Sequence, residues 1–148
     1  MLVNTLVYIN TLIFIAISLL HFYWAFGGKW AAKGAIPERF HKYAFDTTGK
    51  LAVAPFIPTI IVGLGLFAFA IIAYSHSGNI ELPIASKYLG WATWVMAFIF
   101  TARSIGDFRM FGFFKKEKEG LFAERDTKIY SPLCLYLGLS LLIILLKT

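Results

Sequence analysis

The sequence predicts an all-α polytopic membrane protein, in which four transmembrane helices form one compact bundle and a single domain over residues 1–148. Composition is the first reason, because 59% of the residues are hydrophobic and only 15% are charged, whereas soluble domains carry about 25% charged residues. Length is the second reason, because about 20 apolar residues cross a bilayer and the chain contains four apolar runs of about this length. This composition excludes a soluble enzyme, a disordered tail and a coiled coil.

The first two predicted helices span residues 2–26 and 51–75 and contain no Asp, Glu, Lys or Arg. We do not expect the first to be a cleaved signal peptide, because no basic region precedes it and no small-residue cleavage pattern follows it. In the second, Pro55 and Pro58 remove two backbone donors. We therefore expect its first turns to be bent or loosened.

The third and fourth predicted helices span residues 84–106 and 128–146. Lys87 lies near the outer end of the third helix, where its long side chain can reach the interface. A fourth helix that began at Pro132 would measure only about 22 Å, at 1.5 Å per residue. We therefore expect it to begin near Thr127, with Pro132 as a local kink.

Small residues are expected at the contacts between helices, because apolar surface alone does not drive helix association in lipid. Cys134, the only cysteine, is interpreted as one of these packing residues and leaves no partner for an intramolecular disulfide. The other small residues at helical spacing are Thr59 and Gly63 in the second helix, Gly90, Thr93, Ala97, Thr101 and Ser104 in the third, and Ser131 and Gly138 in the fourth.

The basic residues predict the orientation in the membrane. Of the 14 Lys and Arg residues, five lie between the first and second helices, seven lie at or between the ends of the third and fourth, and Lys87 and Lys147 remain. The positive-inside rule then predicts a multi-pass protein of the cell membrane with both long loops in the cytoplasm. The N-terminus, the turn at residues 75–83 and the C-terminus face outward. Nucleic-acid binding is not expected, because the basic residues lie at helix ends and form no separate basic domain.

The densest polar cluster lies where the third helix meets the cytoplasm. Arg103 and Asp107 are four residues apart and share a face if the helix continues. Asp107 also lies close to the stripe of small residues, so it is expected to turn into the bundle. A carboxylate near a helix C-terminus opposes the helix dipole, so Asp107 should also need a partner. Arg103, Arg109 and His21 are the candidates, in either a structural salt-bridge lock or a functional site.

Further candidates lie at the other helix ends. Asp126 and Tyr130 are four residues apart at the start of the fourth helix. His21 lies near the end of the first helix beside Trp24, which suits an interfacial aromatic belt. It is either a ligand-facing base or a histidine satisfied within the bundle. If both hairpins close, the candidate ligand-binding residues converge at the cytoplasmic mouth: His21, Trp24, Arg103, Asp107, Arg109, Asp126 and Tyr130.

The loop after the third helix combines aromatic and basic residues. Aromatic side chains followed by a basic run are typical of a segment that lies among the headgroups of an anionic leaflet. The residues are Phe108, Met110, Phe111, Phe113 and Phe114, followed by Lys115, Lys116 and Lys118.

Three blocks of residues carry a resemblance to a known family. They are His21, Tyr23, Trp24, Gly27 and Gly28; Arg103 through Arg109 with Gly112, Phe113, Phe114 and Lys115; and Asp126, Thr127, Tyr130, Ser131, Pro132, Leu133 and Cys134. With these blocks the chain resembles the small bacterial membrane proteins of the domain of unknown function 3995 family over nearly its whole length. The resemblance implies a four-helix architecture and brings no activity with it.

Three classes of function remain open. The first is a binding module for an anionic lipid headgroup or a small molecule, in which Arg103 and Arg109 hold the anion while Asp107 and Tyr130 orient them. The second is a transporter or accessory subunit, which would be a homo-oligomer because four helices are few for a carrier. The third is a membrane enzyme with His21 as general base and Asp107 or Asp126 as the orienting acid. No cofactor or metal is predicted, because one histidine and two remote acids lack a diagnostic ligand spacing.

Overall fold

The structure is a computed structural model that describes residues 1–48 and 53–147. The regular elements of these residues are all helical, which confirms the all-α part of the predicted fold class. In chain order they are α1 (Leu2–Ala25), α2 (Ala32–Ala35), a 3₁₀ turn (Glu38–Phe40), α3 (His41–Ala44), α4 (Val53–Ser75), α5 (Ser86–Ile105), α6 (Leu121–Arg125), a π-helical turn (Asp126–Tyr130) and α7 (Ser131–Lys147).

Three helices of the described residues are long and apolar enough to cross a membrane. They are α1, the Phe56–Ser75 part of α4 and the continuous helical stretch Leu121–Lys147. Helix α5 has 20 residues, but it does not reach the apolar character of the other three. The prediction of a membrane protein is thus supported by three spans, one fewer than predicted.

The observed helix ends follow the prediction closely for the first three segments. Helices α1 and α5 agree with the predicted residues 2–26 and 84–106 to within two residues at each end. Helix α4 ends at Ser75 as predicted and contains Pro58. Its predicted start at Leu51, and the nearby Lys50, lie outside the described residues.

The prediction for the start of the fourth segment was wrong. The helical stretch begins at Leu121, ahead of Thr127, and passes through the π-helical turn before α7. Pro132 has no N–H to donate to the carbonyl of Lys128, and a π-helical turn is one way in which a helix absorbs such an interruption. The structure thus has a π-helical turn, a local widening of the helix, just before the proline at which the kink was expected.

The long helices pack as two antiparallel pairs that share one core. Helix α1 lies along α4 and α5 lies along α7, while α1 with α7 and α4 with α5 make the smaller contacts between the pairs. Phe14 of α1 meets Phe100 of α5 with ring centroids 5.3 Å apart. Met96, Leu137 and Leu141 complete the centre of the core and are fully buried.

Small residues mark the closest helix contacts, as predicted. A Cβ added to Gly138 would lie 2.4 Å from Oγ1 of Thr101, so α7 and α5 approach too closely there for any larger residue. In the other pair, the hydroxyl of Ser18 donates to the carbonyl of Gly63 at 2.8 Å. Gly90, in contrast, has nothing within 4 Å. Cys134 is half-buried and packs against the core, in agreement with its predicted packing role.

The loops of the two hairpins meet at one end of the bundle. The N–H of Phe122 donates to Oε1 of Glu38 at 2.9 Å, and the hydroxyl of Tyr130 donates to the carbonyl of Gly34 at 2.9 Å. Burial acts to raise the pKa of Glu38, but hydrogen bonds, that of Phe122 foremost, outweigh burial and lower the pKa overall. We call this contact between the two loops the loop junction.

Candidate functional site

A buried ionic cluster lies beside the loop junction, where α5 meets the π-helical turn. The Asp126 side chain is 0% exposed, and its Oδ1 accepts a hydrogen bond from Nη2 of Arg103 at 2.7 Å. Its Oδ2 lies 3.0 Å from Nζ of Lys115, whose side chain is only 2% exposed. Two cations share one carboxylate, so this group of three residues, the Asp126 cluster, carries one surplus positive charge.

The remaining polar atoms of the cluster are almost all satisfied. Oδ2 of Asp126 also accepts from the N–H of Gly112 at 2.9 Å and from the hydroxyl of Ser131 at 3.2 Å. Nζ of Lys115 donates to the carbonyl of Gly112 at 3.2 Å and to Oγ1 of Thr127 at 2.6 Å. With its bond to Asp126, the lysine ammonium uses all three of its donors inside the protein.

Two glycines bring the loop back to the cluster. Gly106 ends α5 at a φ of +100°, and Gly112 has a φ of +83°, a region that L side chains rarely adopt. A Cβ on Gly112 would lie 2.4 Å from the Cα of Gly106. The close approach lets the N–H of Phe113 donate to the carbonyl of Ser104 at 2.8 Å, and it delivers Gly112 and Lys115 to Asp126.

Arg103 forms the accessible edge of the cluster. Its side chain is 30% exposed, and its guanidinium carbon lies 4.7 Å from the centre of the Phe111 ring. Nη2 binds Asp126, whereas Nη1 is buried and has no hydrogen-bond partner. The guanidinium therefore has one donor nitrogen, Nη1, without an acceptor, in a cluster whose net charge is positive.

The prediction that Asp107 turns into the bundle was wrong. Since α5 stops at Ile105, Asp107 is no longer on a shared helix face with Arg103. Its side chain is exposed, and Oδ1 accepts the N–H groups of Arg109, Met110 and Phe111 at 2.9, 2.7 and 2.9 Å. Burial acts to raise the pKa of Asp107, but these backbone hydrogen bonds outweigh it and lower the pKa. Asp107 thus shapes the turn that follows α5.

Arg109 also lies apart from the cluster. It is exposed, and its Nε lies 3.5 Å from Oε1 of Glu117, which in turn lies 3.3 Å from Nη1 of Arg39. Arg109 therefore belongs to a surface network across the loop junction, and its sharing of one ligand with Arg103 stays a prediction.

The basic run after α5 divides between the interior and the surface. Lys115 was predicted to lie among headgroups and is instead buried, while Lys116 and Lys118 are exposed. Phe108, Phe113 and Phe114 are exposed as well. The loop thus has exposed aromatic and basic side chains, as expected of a headgroup-facing segment, while Lys115 belongs to the Asp126 cluster.

His21 and Trp24 form a separate group at the end of α1. Nδ1 of His21 bonds the carbonyl of Ile17 at 2.8 Å, and its ring centre lies 5.2 Å from that of Trp24. The indole Nε1 donates to the carbonyl of Trp30 at 2.7 Å. Because a backbone carbonyl orients His21 and Asp107 binds loop amides, the predicted acid–base pair of these two residues was wrong.

The seven candidates therefore fall into three groups. Arg103 and Asp126 come together as predicted, and Tyr130 lies in the same π-helical turn, where its hydroxyl holds Gly34. Asp107 and Arg109 belong to the loop surface, and His21 lies with Trp24. Within residues 1–48 and 53–147, no three His, Cys, Asp or Glu side chains are grouped in a way that could hold a metal ion.

Sequence reasoning missed the part that Lys115 plays with its hydrogen-bond partners Gly112 and Thr127, and the hydrogen bond from Ser131 to Asp126. Spacing gave no signal for it, because Lys115 and Asp126 are eleven residues apart on separate elements. One signal did exist: among the three lysines of the run, only Lys115 belongs to the blocks that carry the family resemblance. The cluster joins residues of the second and third blocks, so membership of these blocks was the available hint.

Comparisons with known proteins agree with the resemblance. Residues 14–141 match the model of a family described as protein of unknown function (DUF3995). No curated protein and no solved structure matches the chain. The matched range contains the whole Asp126 cluster and all seven candidate residues.

Proposed function

The chain belongs to the DUF3995 family, and from that premise we propose that it is a four-span membrane protein that binds an anionic phosphate group, such as a lipid headgroup, at the Arg103 edge of the Asp126 cluster. The family carries no assigned activity, so the proposal rests on the geometry and charge of this chain.

The observation that carries the proposal is the surplus charge of the buried cluster. Asp126 neutralises only one of its two cations, and removing an unbalanced charge from water is costly. An anion next to Arg103 would balance this charge. Nη1 has no hydrogen-bond partner but is itself buried, so Arg103 would have to turn Nη1 toward the surface to donate a charge-assisted hydrogen bond to that anion.

The two cations play different parts in the proposed site, because they differ in the donors that are already bound. Lys115 donates all three of its hydrogen bonds to Asp126, Gly112 and Thr127, so it contributes charge without contacting the anion. Arg103 donates from Nη2 to Asp126 while Nη1 has no partner, and its planar guanidinium suits the oxygens of a phosphate. Arg103 is therefore the residue that binds the anion.

The surroundings favour a ligand from the inner leaflet. Exposed Lys116 and Lys118 and the exposed rings of Phe108, Phe113 and Phe114 lie on the same loop, a combination that suits an anionic headgroup layer. The proposed topology has both long loops in the cytoplasm, as the positive-inside rule predicts. It also has α5 as the fourth span, which its packing along α7 supports.

The test compares Arg103→Lys with the matched control Arg109→Lys. Lysine keeps the charge and an ion pair with Asp126 but lacks the second nitrogen of the guanidinium. We expect the wild-type protein to melt at a higher temperature in nanodiscs of phosphatidylglycerol than of phosphatidylcholine. Arg103→Lys should bind phosphatidylglycerol about tenfold more weakly, in line with one charge-assisted hydrogen bond, and Arg109→Lys should bind like the wild type.

A second arm separates a lipid from a soluble phosphate. Glycerol phosphate is titrated into the protein in phosphatidylcholine nanodiscs, with the same two variants. Stabilisation by phosphatidylglycerol alone identifies a headgroup, and stabilisation by both identifies the phosphate itself. Equal affinities of Arg103→Lys and Arg109→Lys for both probes would remove the proposal.

A further inference from the structure

A cavity lies on the first hairpin, where α1 ends against α2 and α4. Its volume is about 120 Å³, and it is lined by His21, Trp24, Ala32, Ala35, Ile36 and Thr59. For scale, a sealed apolar cavity of about 150 Å³ in another protein takes up benzene. The cavity beside His21 therefore has room for about one six-membered ring.

The hydrogen bond of His21 decides what its ring offers to the cavity. The partner of Nδ1 is the carbonyl oxygen of Ile17, and a carbonyl only accepts, so Nδ1 carries the proton. In the neutral ring Nε2 is then the unprotonated nitrogen and a hydrogen-bond acceptor. His21 is one of the residues that line the cavity. His21 therefore presents an acceptor to a ligand that carries a donor.

Apart from Thr59, the other lining residues are aromatic or aliphatic. Trp24 lies against His21, and its only polar atom is already bound to the carbonyl of Trp30, so it offers the face of its ring. Ala32, Ala35 and Ile36 add short aliphatic surface. Ligand sites typically combine such apolar walls with few polar groups that fix the orientation.

The wall formed by α2 is fixed from outside. Tyr130 donates to the carbonyl of Gly34 at 2.9 Å, and Nε2 of His41 bonds the carbonyl of Ile36 at 2.8 Å. The side chain of Arg125 also lies directly over Gly34. The cavity is therefore preformed, which lowers the conformational cost of binding.

We propose that this cavity is a binding site for a small aromatic ring that bears a hydroxyl group, with the hydroxyl donating to Nε2 of His21 and the ring packed against Trp24. A carboxylate is disfavoured there, because it would place its lone pairs against the lone pair of Nε2. The ring can belong to a free phenol or to the headgroup of a lipid-soluble phenol from the inner leaflet. The site is independent of the Asp126 cluster and of its proposed anion.

Phenol is the probe for a titration of the full-length protein, labelled with ¹⁵N in its histidine rings. We expect phenol to move the Nε2 resonance of His21 upfield, as a new hydrogen bond to that nitrogen requires, while its Nδ1 stays in place. His76 serves as the internal reference, since its Nε2 already bonds Oγ1 of Thr93 at 2.8 Å. An unmoved His21 signal at saturating phenol would overturn the proposal.

Two variants test separately the contribution of the acceptor Nε2 of His21 and that of the cavity volume. His21→Phe keeps a ring but removes the acceptor, and we expect about tenfold weaker binding of phenol. Ala35→Leu fills the cavity and keeps His21, so it should abolish the shift even if His21→Phe does not fold. His76→Gln is the control and should bind phenol like the wild type. Wild-type affinity in both cavity variants would contradict the proposal.

The source of the ring is settled with 4-heptylphenol. The same His21 shift with this probe identifies a cavity open to lipid, and a shift with phenol alone identifies a soluble ligand. Arg103→Lys should leave both titrations unchanged, so the proposal of this site and that of the phosphate site are tested independently.

Discussion

At the scale of single residues, Asp126 organises the end of the molecule that faces the predicted cytoplasm. It is fully buried, and it collects one arginine, one lysine, one backbone N–H and one hydroxyl. Oδ2 accepts three of these four hydrogen bonds, and Oδ1 accepts the one from Arg103. Any change to this residue therefore affects α5, the loop after it and the π-helical turn together.

The charge balance of the cluster predicts unequal effects of two substitutions. Asp126→Asn leaves the buried Lys115 and the partly exposed Arg103 without a counter-charge, and we expect a loss of about 3–5 kcal/mol of unfolding free energy. Lys115→Met removes the surplus charge and leaves a neutral ion pair, so its cost should be smaller, about 1–2 kcal/mol for the lost hydrogen bonds. The measurement is denaturant unfolding in a fixed detergent.

The exposed Lys116→Met is the control for this pair and should leave stability within about 0.5 kcal/mol of the wild type. A larger loss for Lys115→Met than for Asp126→Asn would show that the cluster holds no surplus charge.

Part of this chemistry was predictable from the sequence. The gathering of Arg103 and Asp126 followed from placing scarce charges at the ends of apolar helices. Asp107 was misplaced because the i, i+4 rule assumes an unbroken helix, and Gly106 ends α5 one residue before it. Glycine directly after the last helical residue is a common stop signal, so this error had a visible cause. The burial of Lys115 depends on the fold of the loop and had no local signal.

At the scale of elements, close contacts between helices explain why glycine stands where it does. Gly138 of α7 faces Thr101 and the carbonyl of Ala97 on α5, whereas Gly65 of α4 has nothing within 4 Å. The apolar runs were enough to predict the four long helices and most of their ends. The π-helical turn was not predictable, because Pro132 excludes a regular hydrogen bond without specifying which other helical form replaces it.

These two glycines make a matched pair of substitutions. The added methyl of Gly138→Ala would lie 2.4 Å from Oγ1 of Thr101 and 3.0 Å from its backbone nitrogen, so we expect a loss of about 1–3 kcal/mol. Gly65→Ala should be neutral or stabilise by up to about 1 kcal/mol, because alanine favours the helix. Thermal unfolding of both variants in one detergent is the measurement.

A double variant identifies the cause of the loss. Thr101→Ala removes Oγ1, so adding it to Gly138→Ala should recover part of the stability, a coupling that a double-mutant cycle measures. Additive effects would place the clash elsewhere.

At the scale of the whole molecule, the two hairpins share one core and are joined by their loops. Phe14 of the first hairpin and Phe100 of the second meet in the core, and Glu38 and Tyr130 tie the two loops together. The proposed phosphate site belongs to the second hairpin and the proposed phenol site to the first. The loop junction lies between them, with Tyr130 reaching from the helix that carries Asp126 to the wall of the other cavity.

The topology of the whole chain depends on α5, the long helix whose apolar character falls short of the other three. Ser77 and Lys118 flank α5, so they lie on opposite sides of the membrane only if α5 crosses it. With Cys134→Ser as a cysteine-free background, we expect an impermeant maleimide to label Ser77→Cys in intact cells and Lys118→Cys only after lysis. Lys42→Cys is the control for the other loop and should behave like Lys118→Cys. Labelling of both flanking positions from one side would mean that α5 does not cross, and labelling of Lys118→Cys alone in intact cells would invert the orientation that the basic residues predict.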